Sequence, residues 1–60
     1  MPVVIVEMWE GRTEVQKEML MNGIVKAFET VGVKTEHLTI IIHDTPKQNW
    51  NIKGRQASKR

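Results

Sequence analysis

Cysteine is absent, so no disulfide can staple this chain, and the only imidazoles are His37 and His43, six residues apart. A structural zinc site needs about four closely spaced ligands, and two histidines do not supply it; neither a metal nor any other cofactor is expected. Aromatic residues are few, with one phenylalanine, two tryptophans and no tyrosine, and they are not interleaved with basic residues in the manner of RNA-binding sheets. No apolar run approaches the roughly 20 residues of a transmembrane helix, and no basic segment precedes an apolar one at the start. No membrane partner is expected, and a cytoplasmic address follows. Repeats, linkers and low-complexity tracts are also missing.

What is present is 60 residues, 40% hydrophobic and 27% charged, the balance of an ordinary globular protein. They make a single domain spanning 1–60. A chain this short buries only about 60% of the surface its unfolded form exposes, and with disulfides and metals set aside, self-association is the remaining way to stabilise it. The formal charge of +2 hides an asymmetry. Residues 1–46 hold four Lys/Arg and seven Asp/Glu, a net −3, whereas residues 47–60 hold five cations and no acid. This basic end suits a solvated terminus, a lure for anionic small molecules or a nucleic-acid arm.

The opening Val3-Val4-Ile5-Val6-Glu7-Met8 is apolar at nearly every position and predicts a strand covered on both faces. Glu10-Gly11-Arg12 reads as a turn. Thr13 followed by Gln16 is a capping-box signature, and a helix is predicted from Glu14 to Val31 with Gly32 as its stop. At about 100° per residue, Leu20, Met21, Gly23, Ile24, Val25, Ala27, Phe28 and Val31 spread over an arc of about 200°, twice the stripe one sheet face requires. Either a second flank of the helix is shielded, or it exposes apolar surface that a neighbouring subunit covers. Leu38 to His43 predicts a second strand. Strand, helix and strand in this order make an α/β fold, a βαβ unit with a right-handed crossover and parallel strands. The helix covers one face of that small sheet, and the other face is expected to meet another copy. Residues 49–52, lying between turn formers, predict a small hairpin, followed by a loose basic tail from about Gln56.

Pro2 is the residue whose position suggests chemistry. If the initiator methionine is removed, Pro2 becomes a secondary amine held at the tip of a buried strand. Burial penalises its protonated form, and a nearby guanidinium acts in the same direction, so the nitrogen is poised as a general base near neutral pH. With Met1 retained, the same nitrogen is an amide without basicity. His43 and Asp44 are adjacent but point to opposite faces of a strand, which argues against an acid–base pair.

The Met-Pro start, the Glu10-Gly11-Arg12-Thr13 turn, Gln16-Lys17 in the first helical turn and Pro46-Lys47-Gln48-Asn49-Trp50 after the second strand together resemble the 4-oxalocrotonate tautomerase family over essentially the whole chain. The resemblance implies a homohexamer built as a trimer of dimers, and an isomerase that interconverts keto and enol forms of a small 2-hydroxydienoate or 2-keto acid. It implies Pro2 as the base, Arg12 as a binder of the substrate carboxylate and Trp50 as an aromatic wall, where the family usually has phenylalanine. Trp9 could line the same pocket or anchor an interface. The family's second arginine, on strand two, is replaced here by Thr39, which can donate one hydrogen bond; Lys47, Lys53 or Arg55 could supply the missing charge. Lys53 also stands where the family has a hairpin glycine, so the turn geometry is open to change. Two other readings remain at this level: a noncatalytic oligomer on the same scaffold, and a nucleic-acid binder working through its basic tail.

Overall fold

The computed structural model describes residues 1–59. Its first element is β1, Val3–Trp9, which pairs in parallel with β2, Thr39–Thr45; Val3 lies opposite Thr39 and Trp9 opposite Thr45. Between them runs α1, Glu14–Glu29. A short 3-10 turn, Thr35–His37, returns the chain to β2. The expected βαβ unit with parallel strands is therefore present. Strand two begins and ends about one to two residues later than predicted, because the chain closes a 3-10 turn through Leu38 N–H to the Thr35 carbonyl before extending.

The helix starts as its sequence dictates. The Thr13 hydroxyl accepts from Gln16 N–H at 3.1 Å and the Gln16 side chain accepts from Thr13 N–H at 2.9 Å, so two backbone donors that the helix cannot satisfy internally find partners. Its end comes two residues before the predicted Val31. There Val33 N–H bonds the Phe28 carbonyl, Gly32 N–H bonds that of Glu29, and Gly32 adopts φ 84°. This is a Schellman closure with glycine in the left-handed position.

Alternation along the strands divides the sheet. Val4, Val6 and Met8 with Ile40 and Ile42 are half-buried beneath α1, whose Met21, Ile24, Val25 and Phe28 are half-buried in turn. The opposite face stays open, with Val3 55%, Ile5 54% and Ile41 42% exposed. Leu20, Gly23 and Ala27 form a second, exposed row on the helix, continued by exposed Val31 in the turn just past its end. Among the described residues only Ala57 is buried. A single copy thus lacks an enclosed core, and the burial expected on both sheet faces is absent within one chain.

The carboxy-terminal segment corrects an expectation. After the 3-10 turn Lys47–Asn49, β3 (Asn51–Ile52) pairs antiparallel with β4 (Arg55–Gln56), and residues 57–59 form another 3-10 turn. A hairpin is present, but at 51–56 rather than the expected 49–52, and residues 56–59 are held rather than loose. Ala57 N–H donates to the Trp50 carbonyl at 2.7 Å, Gln56 Nε2 to the Gln48 carbonyl at 2.7 Å, and the Arg55 guanidinium to the Lys59 carbonyl. Ala57, small and apolar, is the buried residue among those described, 5% exposed. At the hairpin tip Lys53 has φ 53° and Gly54 φ 85°, the two positive values that a type I′ turn demands.

Candidate active site

The residues singled out in the sequence fall into two groups at opposite ends of the sheet. At the start of β1, Pro2 is half-buried and its carbonyl accepts the Thr39 N–H at 3.2 Å. This bond extends the parallel ladder by one step and ties the backbone of Pro2 to that of Thr39. At the other end, Glu10 N–H donates to the Thr45 carbonyl at 3.0 Å, carrying the ladder past Trp9. The chain then reverses at Gly11, whose φ of 122° is open to glycine and strained for other residues. That reversal delivers Arg12 immediately before the helix cap.

Arg12 borders two cavities. One, of about 310 Å³, is lined by Met8, Arg12, Gln16, Lys17 and Leu20. The other, of about 380 Å³, is lined by Met8, Trp9, Glu10, Gly11, Arg12 and Lys47. Each falls in the size range of small-molecule sites. Their cations are in different states. Lys17 pairs with Asp44 on the helix-facing side of the sheet, so its charge is matched. Arg12 and Lys47 have no carboxylate within ion-pair distance among the described residues.

Trp50 joins this second group. Its ring meets that of Trp9 edge-on, with centroids 5.9 Å apart and planes at 75°, a favourable aromatic geometry. The Lys47 ammonium lies 4.8 Å from the centroid of a Trp9 ring, within cation–π reach. Trp9 was open to either a pocket or an interface role on sequence; it lines the pocket and carries both contacts. The juxtaposition of Lys47 with Arg12 was not legible in the sequence, where 34 positions separate them. The parallel register that sets Trp9 opposite Thr45 brings the loop after β2 to the Arg12 turn. Neither Lys53 nor Arg55 lines this pocket.

The argument against a His43–Asp44 pair agrees with the structure. His43 Nδ1 meets Glu7 Oε2 at 2.7 Å on the open face, while Asp44 faces Lys17 on the helix side. Glu7 and His43 are register partners, so their contact is a cross-strand ion pair or hydrogen bond set by the ladder itself. No cluster of three or more His, Cys, Asp or Glu able to hold a metal occurs among the described residues.

The two groups cannot meet within one chain. Seven residues of β1 lie between Pro2 and Gly-turn residues leading to Arg12, and at about 3.3 Å per strand residue they hold the ends roughly 20 Å or more apart. A molecule of a few carbons cannot touch both. A ligand that reaches both groups would have to take them from two copies of the chain.

Comparison with known proteins now gives this arrangement a family. Residues 1–53 match the family described as tautomerase enzyme. Over 60 residues the chain is 38% identical to the 2-hydroxymuconate tautomerase of Comamonas testosteroni, covering 98% of this chain and 95% of that protein. It is 36% identical over 59 residues to the 2-hydroxymuconate tautomerase of Bacillus subtilis, covering 97% and 95%. Its fold superimposes with a TM-score of 0.87 on a chain from the 4-oxalocrotonate tautomerase isozymes of Methylibium petroleiphilum, at 40% identity, covering 95% of this chain and 94% of that one. The chain belongs to the tautomerase family and is a tautomerase of the small 4-oxalocrotonate type.

Proposed function

We propose that this tautomerase interconverts the enol and keto forms of a small 2-hydroxydienoate or 2-keto acid, with Pro2 as the general base once Met1 has been removed. The observation that carries the reading is the position of Pro2: half-buried at the tip of β1, with its carbonyl tied to Thr39 N–H. Freed of Met1, its nitrogen becomes a secondary amine on a fixed ring. Partial desolvation and the guanidinium of an Arg12 from another copy both disfavour its protonated form. The lone pair takes the proton of the enol hydroxyl, the electrons of that bond form the carbonyl, the carbon–carbon double bond shifts, and the prolinium returns the same proton to carbon. Atoms and charge balance without any other reactant, as an isomerisation requires, and no cofactor is invoked.

In this reading Arg12 holds the substrate carboxylate, Trp50 with Trp9 keeps the pocket poorly solvated, and Thr39 donates one hydrogen bond to the oxygen that becomes the carbonyl. Exclusion of water strengthens each of these polar contacts. The site is shared between copies. Two open sheet faces, each with Val3, Ile5 and Ile41, pack with their strands running in opposite directions, which sets one copy's Pro2 against the other's Arg12 turn. The exposed helix row of Leu20, Gly23, Ala27 and Val31 then joins dimers, and three dimers make a homohexamer.

An ultraviolet assay of enol consumption tests the reading. Purified protein beginning at Pro2 is expected to convert 2-hydroxydienoates to their keto forms, and Pro2→Ala to lower kcat by about 10²-fold or more. Equal turnover in that variant rules out the proline mechanism.

A further inference from the structure

We propose that Lys47 determines substrate specificity, gripping the substrate carboxylate jointly with Arg12 so that a single carboxylate suffices for binding. This inference rests on the tautomerase reading above and deepens it by naming the charge of the substrate.

Three observations carry it. Lys47 and Arg12 line the same cavity of about 380 Å³, although one follows β2 and the other precedes α1. Neither has a carboxylate partner among the described residues, whereas Lys17, the other lysine beside Arg12, is matched by Asp44. Lys47 is also placed rather than free: its ammonium rests 4.8 Å from the centre of a Trp9 ring, which limits the side-chain entropy lost when an anion binds. A carboxylate in this cavity would meet a planar guanidinium and a point-charge ammonium over an indole surface, a setting in which charge-assisted hydrogen bonds are strong. Glu10 lines the cavity too, but it makes no ion pair with either cation, so both charges remain available.

The other end of the composite site is different in kind. Thr39, bonded to Pro2 through its N–H, offers a hydroxyl and no charge. A second carboxylate placed there would meet a neutral donor and no cation, so it adds little to binding. Positive charge is thus concentrated at the Arg12 end, and the ligand class that fits is a small monoanionic enol or keto acid with an apolar or neutral oxygen-bearing end beside Pro2.

Hexanoate and adipate, equal in length and bearing one and two carboxylates, separate the possibilities when used as unreactive competitors and as titrants of tryptophan fluorescence. The assembled protein is expected to bind both within about threefold of each other. Lys47→Gln should weaken both by about tenfold, and Lys47→Arg should recover most of the loss. Binding of either acid should change the emission of the wild-type protein, because the ammonium beside Trp9 is drawn toward the carboxylate, and the change should be much smaller in Lys47→Gln. Unaltered affinities in Lys47→Gln would overturn the role of Lys47. Adipate binding tenfold or more tightly than hexanoate would overturn the single-carboxylate class. Because fluorescence reads binding without turnover, the Pro2→Ala protein should give the same titrations. If hexanoate binds but no enol is converted by the wild type, the tautomerase reading fails while the anion clamp stands.

Discussion

Individual residues here act through where the backbone fixes them. As the proposed base, Pro2 would need its nitrogen unprotonated, so kcat/KM is expected to rise with pH and then level, with the fall at low pH reporting protonation of the free enzyme's amine. A pH–rate profile measured on protein beginning at Pro2 checks this, and protein that retains Met1 should be inactive throughout. Arg12 should behave differently from Pro2. If it holds the substrate carboxylate as proposed, Arg12→Ala should raise KM at least tenfold, whereas Pro2→Ala should act chiefly on kcat. Thr39 stands where the family resemblance implies a second arginine. Thr39→Arg is expected to raise kcat/KM for a dicarboxylate dienol about tenfold relative to a monocarboxylate one, because a desolvated carboxylate beside Pro2 then finds a cation.

At the scale of elements, local sequence decides the helix and the hairpin. The Thr13–Gln16 capping box is worth about 1 kcal/mol, so Thr13→Ala should lower the midpoint of thermal unfolding by several degrees while leaving the helix register intact. The hairpin carries the opposite kind of residue. Lys53 sits at φ 53°, a left-handed conformation that costs a side-chain-bearing residue about 1 kcal/mol. Lys53→Gly should therefore stabilise the protein by about that amount, measured by urea denaturation with an unchanged slope. A fall in stability would mean that the lysine makes a compensating contact. The Schellman closure at Gly32 and the Gly11 reversal were both marked in the sequence, since each glycine falls where a periodic segment ends or a polar turn begins. The 3-10 turns at 35–37, 47–49 and 57–59 were not marked, because three-residue turns carry no hydrophobic period and depend on what the flanking chain packs against.

The whole molecule is incomplete as a single copy. With Ala57 alone buried among the described residues, the open sheet face and the second helix row are the apolar surface still to be covered, and covering such faces is how a domain of this size gains stability. Ile5→Lys with Ile41→Lys should thus lower the sedimentation coefficient and abolish turnover together. Subunit mixing addresses the shared site directly. Pro2→Ala and Arg12→Ala proteins, each impaired, are expected to regain activity when unfolded together and reassembled in equal amounts. If each site takes its proline and its arginine from different copies at random, about a quarter of sites are intact. No recovery in mixed oligomers would show that Pro2 and Arg12 of one chain share a site, against the strand length between them.

The sequence by itself determined the order of elements, the helix start and stop, the parallel pairing and the need for a partner, because these follow from apolar periodicity, capping chemistry and chain length, all of which are local or additive. It also marked Pro2 by its place behind the initiator methionine, and Arg12, Thr39 and Trp50 through the family resemblance. Only the tertiary structure decided which of them lie together. The register of β1 on β2 sends Pro2 and Thr39 to one end and Arg12, Trp9, Trp50 and Lys47 to the other, and register is a long-range property that spacing along the chain does not encode. The same holds for the tail. Its composition suggested a loose basic end, and one buried alanine with three tethering side-chain and backbone contacts made it part of the fold.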